Sequence, residues 1–193
     1  MRELSLNVMD ITQNSISAEA SFIEIEITDN THDKTLTINI SDNGRGMSEE
    51  QVKKVIDPFY TTRTTRDVGL GVPLFKMEAE MTGGSFSISS HIGKGTRLTA
   101  VFRTDSIDMI PLGDIDAVVY LLITCNPMLD FRYVRRCEPP ASCQAELDTR
   151  EIKEILGDDV PLSAPDVAEW LKAYLHEQTT EYLARLSGAQ SPQ

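Results

Sequence analysis

The chain has 193 residues, 40% hydrophobic and 25% charged, with 18 Lys+Arg against 30 Asp+Glu and a formal net charge of −12. That balance is globular, and the length suits one large domain or two small ones. The acidity argues against binding nucleic acid, which needs clustered Lys and Arg. No apolar run approaches the ~18–20 residues of a membrane span, and no basic-then-apolar leader opens the chain. Cys125, Cys137 and Cys143 are too few and too irregular for a disulfide framework. A soluble protein of a reducing compartment, the cytoplasm, is expected.

In chain order, residues 3–18 read as a helix. Phe22 to Thr28 alternates, with Ile23, Ile25 and Ile27 on one face and Glu24 and Glu26 on the other, a half-buried strand. A polar turn, Asp29 to Lys34, leads into a second alternating strand through Leu36, Ile38 and Ile40, so the pair reads as an antiparallel hairpin. Ser48 and Gln51 fit a capping box for a helix to about Ile56. Pro73 suits the first turn of a further helix that stops at Gly83-Gly84. Strands at about Ser85–Ser90 and Thr96–Phe102 flank the turn Ile92-Gly93-Lys94-Gly95. This much predicts an α/β sandwich: a mixed, largely antiparallel sheet with helices on one face.

Residues 1–103 carry 11 basic and 14 acidic side chains, and residues 104–193 carry 7 and 16. The shift near Thr104-Asp105 places a domain boundary there, giving units 1–103 and 104–193. In the second unit, Gly113 to Cys125 reads as a helix. Asp130–Arg136 and Ser142–Asp148 read as strands around Glu138-Pro-Pro-Ala. Thr149 caps a short helix ending near Gly157, and a long helix covers about Asp166–Leu186. A small α+β domain, fused to the first by packing, is expected. Cys137 and Cys143 read as incidental thiols of a hairpin rather than a redox pair, and Trp170 and the tyrosines as core or interface.

Four segments carry chemistry. Asp10, Gln13, Asn14 and Ser17 line one stripe of the first helix. An amide oxygen and a carboxylate one turn apart suit a Mg²⁺–phosphate site, although a solvated polar face has the same pattern. Asp42-Asn43-Gly44-Arg45-Gly46-Met47 follows a strand. Its glycines allow a tight turn and close approach to a ligand, its Asp can accept from an exocyclic amine, and it also reads as a plain turn. Thr61-Thr62-Arg63 through Arg66 to Gly69-Leu70-Gly71 brings hydroxyls and two arginines to a helix start, whose free N–H groups bind phosphate. A solvated loop is the plain alternative. Gly93-Lys94-Gly95-Thr96 is a hairpin turn or a ligand contact.

In this order the four segments resemble the GHKL ATPases, the superfamily of type II topoisomerases, heat-shock chaperone ATPases, histidine kinases, mismatch-repair ATPases and anti-sigma-factor kinases. Asp57-Pro-Phe-Tyr-Thr-Thr62 is similar to the histidine-kinase phenylalanine box, and Gln13-Asn14-Ser15-Ile16 to the mismatch-repair branch. The resemblance spans about residues 4–103. It implies an α+β fold, a Bergerat-type sandwich followed by the small C-terminal domain, and ATP and Mg²⁺ as cofactors. It implies that Asn14 ligates Mg²⁺ and that Asp42, helped by Thr96, takes the adenine amine. Gly44 and Gly46 pass the nucleotide and Met47 packs by the base. Thr61, Thr62, Arg63 and Arg66 belong to a lid hinged at Gly69, Leu70 and Gly71, and Arg63, Arg66 or Lys94, beside Gly95, reaches the γ-phosphate. The ATPase and anti-sigma branches carry a general-base Glu four residues before the Asn. Here that position is Asp10, shorter by one methylene, roughly 1–1.5 Å of reach, so it is either a weak base or a positioner of Mg²⁺ and its waters.

Three functions follow from the resemblance. The first is an ATP-dependent regulatory kinase or slow ATPase acting on a protein partner. The second is an ATP-sensing module whose lid reshapes a partner surface. The third is a histidine kinase lacking the usual N-terminal phosphoacceptor domain. His176, in His176-Glu-Gln-Thr-Thr, matches a loose phosphoacceptor pattern but also reads as a solvated helix residue. ATP and an unidentified protein are the expected partners, with no nucleic acid or membrane, and the sequence leaves a homodimer open.

Overall fold

The computed structural model describes residues 3–57, 70–138, 143–157 and 160–188. Helix α1 (Leu4–Ser17) leads into β1 (Phe22–Asn30) and β2 (Thr35–Asp42). Then come α2 (Glu49–Val55), α3 (Gly71–Met81), β3 (Ser85–His91) and β4 (Gly95–Arg103). The second half adds α4 (Ile115–Cys125), β5 (Asp130–Cys137), β6 (Cys143–Asp148), α5 (Thr149–Leu156) and α6 (Pro165–Gly188). The six strands form one sheet in the order β3-β4-β2-β1-β5-β6. All neighbours are antiparallel except β1 and β5, which run parallel with Ile23 opposite Phe131 and Asp29 opposite Cys137.

Alternation decides the layers. Ile23, Ile25 and Ile27 of β1, Leu36, Ile38 and Ile40 of β2, and Leu98, Ala100 and Phe102 of β4 are buried on one face. Leu4, Val8 and Ile11 of α1, Phe75 and Ala79 of α3, Leu122 and Ile123 of α4, and Leu171 and Leu175 of α6 complete the same cluster. Each large aliphatic side chain so buried contributes about 1.5–3 kcal/mol of transfer free energy. The opposite face is polar. There Arg132 pairs with Glu24 and Glu146, and Arg136 with Glu26.

The fall in charge at residue 104 does not interrupt the sheet. β5 hydrogen-bonds to β1, and Phe131, Tyr133 and Leu147 share one hydrophobic cluster with Ile23 and Ile38. The second half is thus joined through backbone pairing as well as packing. It also completes α1. Glu3 provides no side-chain cap; instead the N–H groups of Leu4 and Ser5 donate to the carbonyls of Pro111 (3.0 Å) and Leu112 (2.8 Å), filling two of the four orphan donors of a helix start.

Two local expectations are corrected. Asp148, not Thr149, caps α5: its carboxylate accepts from the Arg150 N–H. The Thr149 hydroxyl is fully buried and accepts from the Phe131 N–H at 2.7 Å. Cys137 and Cys143 are not incidental thiols; they are joined in a disulfide across the β5–β6 pair. The capping box of α2 forms as expected, with Gln51 N–H to Ser48 Oγ at 3.3 Å and Ser48 N–H to Gln51 Oε1 at 2.9 Å. Trp170 stacks on Tyr174 at 5.2 Å and stays half exposed. Among the described residues no helix is long and apolar enough to cross a membrane.

Candidate functional site

Asp42 ends β2, opposite Ile23 on one side and Thr96 on the other. Its Oδ1 accepts from the Gly44 N–H (2.9 Å) and the Thr96 N–H (3.2 Å), and its Oδ2 from the Ser15 hydroxyl (2.7 Å). A carboxylate offers about four lone-pair sites. Three protein donors fix its orientation and leave acceptor capacity for a further N–H. Three elements thus aim one carboxylate: α1 through Ser15, the turn through Gly44, and β4 through Thr96.

The turn after Asp42 is packed to the limit. Gly46 has φ +66°, and a Cβ there would run into the His91 carbonyl. A Cβ on Gly44 would lie 2.8 Å from the Ala18 carbonyl. The close approach these glycines permit is therefore to the protein's own backbone, in addition to any approach to a ligand. Asn43 ties the turn down: its Oδ1 accepts from the N–H groups of Ser21 and Phe22, both at 2.9 Å, and its Nδ2 donates to Ser21 Oγ.

Ser90, at 8% exposure, is a second hub. Its Oγ accepts from the Met47 N–H (2.8 Å), donates to the Gly95 carbonyl (2.9 Å) and lies 2.9 Å from Thr96 Oγ1. It locks half-buried Met47, Gly95 and Thr96 into one wall. Lys94 is exposed in the adjoining turn, where its N–H donates to the His91 carbonyl.

On α1, Asp10, Gln13 and Asn14 are exposed and Ser15 is buried. The helix therefore offers its polar stripe outward while its inner face holds Asp42. Asp10 faces the start of α3: a Cβ on Gly71 would lie 3.0 Å from the Asp10 Cβ. Leu70, at the N-cap of α3, is half exposed, and its own side chain does not cap the helix. Asn7 and Glu78 hydrogen-bond between the two helices and fix their spacing. Thr61, Thr62, Arg63, Arg66 and Gly69 lie outside the described residues.

The donor chemistry fits a nucleotide and its metal. The site has a fixed acceptor with spare capacity, a helix start whose N-cap residue is apolar, and an amide and a carboxylate one turn apart on a solvent-facing stripe. Mg²⁺ keeps several waters and takes one or two protein carboxylates together with substrate phosphates. Accordingly, no group of three His, Cys, Asp or Glu able to cage a metal occurs among the described residues. Sequence reasoning missed Ser15, Asn43 and Ser90. Ser15 continues the buried stripe Leu4, Val8, Ile11, and a hydroxyl on an apolar stripe signals a partner to be found.

An antiparallel-rich sheet covered on one face by helices, with its polar site at the end of β2 over α1, defines an α/β sandwich. Residues 1–106, more than half of the chain, match the model of the histidine kinase-, DNA gyrase B- and HSP90-like ATPases, and the chain belongs to that family. It is 34% identical over 106 residues to Sporulation kinase B of Bacillus subtilis, covering 53% of this chain and 24% of that protein. It is 27% identical over 92 residues to the sensor histidine kinase ZraS of Escherichia coli O157:H7, covering 48% and 20%. The chain thus spans a quarter or less of these relatives. A crystal structure of the N-terminal domain of a DNA repair protein shares the fold with a TM-score of 0.52 at 15% identity. It covers 82% of this chain and 58% of its own, and so reaches beyond the family-matched residues into the second half.

Proposed function

We propose that this chain binds Mg-ATP at the end of β2 and acts as a regulatory protein kinase or slow ATPase on a protein partner. One observation carries the reading. The Asp42 carboxylate is held by Ser15, Gly44 and Thr96 with acceptor capacity left over, as recognition of an adenine amine requires. Around it, Met47 flanks the base, Thr96 offers a hydroxyl, and Gly44, Gly46 and Gly95 keep the walls close. Asn14 holds Mg²⁺ through its amide oxygen. The start of α3 at Leu70-Gly71, the lid residues Thr61, Thr62, Arg63, Arg66 and Gly69, and Lys94 meet the phosphates.

ATP supplies the phosphoryl group when bound. Asp10 accepts the proton of the attacking hydroxyl or water, and its short side chain makes it a weak general base. A second reading, an ATP sensor without turnover, draws on the contact between Asp10 and Gly71. A nucleotide that reseats the start of α3 moves a surface and reports its state without chemistry.

Calorimetric titration with ATP, ADP and a non-hydrolysable ATP analogue, with and without Mg²⁺, tests the site. Binding is expected to depend on Mg²⁺ and to be lost in Asn14→Ala and Asp42→Asn. A folded wild type that binds none of the three nucleotides refutes the proposal. An Asp10→Asn protein with wild-type affinity and full turnover excludes the base role. Acid-labile phosphate lost in His176→Ala would instead make the chain a histidine kinase.

A further inference from the structure

A second reactive group lies at the other end of the sheet. β1 runs from Ile23, opposite Asp42, to Asp29, opposite Cys137, a distance of roughly 20 Å along the strand. Cys137 closes β5 and Cys143 opens β6. The two are register partners with Cα atoms 5.3 Å apart, and their sulfurs are bonded.

Strand pairing already holds the two residues opposite each other, and a cross-link over a separation of six residues removes less freedom from the unfolded chain than one closing a long loop. Its setting is more informative. Cys137 and Cys143, at 7% and 6% exposure, form with Ala145, Tyr182 and Leu186 a cluster separate from the main core. Tyr182 and Leu186 belong to the last turns of α6, while Leu171 and Leu175 of the same helix sit in the main core. The end of α6 is therefore docked on the disulfide. Its polar anchor is the Tyr182 hydroxyl, which donates to Asp29 Oδ2 at 2.7 Å, with the Arg135 guanidinium 4.6 Å over the ring.

We propose that Cys137 and Cys143 are a reversible dithiol/disulfide site that exchanges with an external dithiol, and that its redox state sets how firmly the end of α6 docks. In reduction, a thiolate of the dithiol attacks one cysteine sulfur. The Cys137–Cys143 bond breaks, and the released sulfur takes a proton. The second thiolate of the dithiol then breaks the mixed disulfide and leaves as a cyclic disulfide, while the other cysteine takes a proton. Two electrons and two protons pass to the cysteine pair. Two separate thiols need more room than one bonded pair, and the cluster that must supply it is close-packed. The buried cysteines pack in one cluster with Tyr182 and Leu186, so on this proposal exchange requires the helix end to lift. By reciprocity, anything that lifts the helix end favours the reduced pair, and reduction loosens the helix end.

The test uses the full chain carrying Cys125→Ser, which removes the exposed free cysteine. The protein is equilibrated over a series of reduced-to-oxidised dithiothreitol ratios and read by alkylation mass and amide hydrogen exchange. One reversible two-electron transition in the folded protein is expected. Amides of residues 182–188 should exchange about tenfold faster when reduced, with residues 171–175 unchanged. The Cys137→Ser/Cys143→Ser double variant should show the fast pattern. Leu186→Ala should speed reduction by about tenfold, the expectation for a gating helix end. A bond that yields only on global unfolding, or a transition that leaves exchange at 182–188 unaltered, overturns the proposal. Neither readout involves nucleotide.

Discussion

The two ends of the central strands treat polar groups in opposite ways. At the β2 end, Asp42, Asn43 and Ser90 are oriented by neutral donors and acceptors, and no ion pair to Asp10 or Asp42 occurs among the described residues. At the far end of β1 and β5, Asp29 meets both Arg135 and Tyr182, and Arg136, next to Cys137, meets Glu26. The first pattern leaves capacity for something external, while the second satisfies charge internally and holds strands and helices together. A carboxylate fixed by neutral hydrogen bonds keeps its charge to offer; one answered by a guanidinium has spent it on the fold.

The largest test of this contrast is Arg135→Met. It leaves the nearly buried Asp29 with Tyr182 alone, and loss of one partner of a buried pair costs about 3–5 kcal/mol. Urea unfolding should register that loss, while ATP affinity of the folded protein stays within about twofold, as for distant independent sites. A fall in affinity as large as the fall in stability would break the contrast.

Asp42→Asn should do the reverse. Its Oδ1 still accepts from Gly44 and Thr96, so stability falls by only about 1 kcal/mol. An amide N–H facing an adenine amine should lower affinity by about 100-fold or more, because a site built to accept a hydrogen bond rejects a mismatched partner strongly. Ser15→Ala sharpens the picture: it removes one of three orienting donors, and affinity should fall about 2–10-fold with a similar loss of stability. The protein then still binds but with a less firmly aimed carboxylate.

The smallest effect is expected at Asp116. Burial pushes its carboxyl above the usual range, opposed by the hydrogen bond from Thr179. A folded-state value above the unfolded one means that the native state binds more protons between the two. The contribution of Asp116 to stability is therefore fully present below the unfolded value near 3.8 and is lost as pH rises through the folded one. Asp116→Asn keeps an acceptor for Thr179 and should flatten that loss, giving a slightly higher Tm at neutral pH.

Much of this was readable from local pattern. The Ile23-Ile25-Ile27 alternation, the Ser48–Gln51 capping box and the turn after Asp42 each depend on residues within a few positions. Asp10, Asn14 and Asp42 were singled out because motif order constrains chemistry even where each motif alone is ambiguous. The pairing of β1 with β5 joins Ile23 to Phe131, and no periodicity encodes a partner so distant. The disulfide was missed for the same reason: whether Cys137 and Cys143 face each other depends on where the hairpin turns. The α5 cap was misassigned because Asp148 and Thr149 are both good caps. Only the extended backbone of Asp148 and the burial of Thr149 under Phe131 separate them.

The bonds from Leu4 and Ser5 to Pro111 and Leu112 bear on how the protein is made. The helix that bears Asp10 and Asn14 is made before the strands it packs on, yet its opening turn is finished by residues synthesised more than 100 positions later. At about 5–20 residues per second, that segment waits on the order of 5–20 s for its closing strap, and β1 waits about as long for β5. The nascent chain thus carries that helix unfinished until Leu112 has been added. Ribosome-bound chains halted before residue 111 should show α1 open to protease, and chains extended through β5 should show it closed.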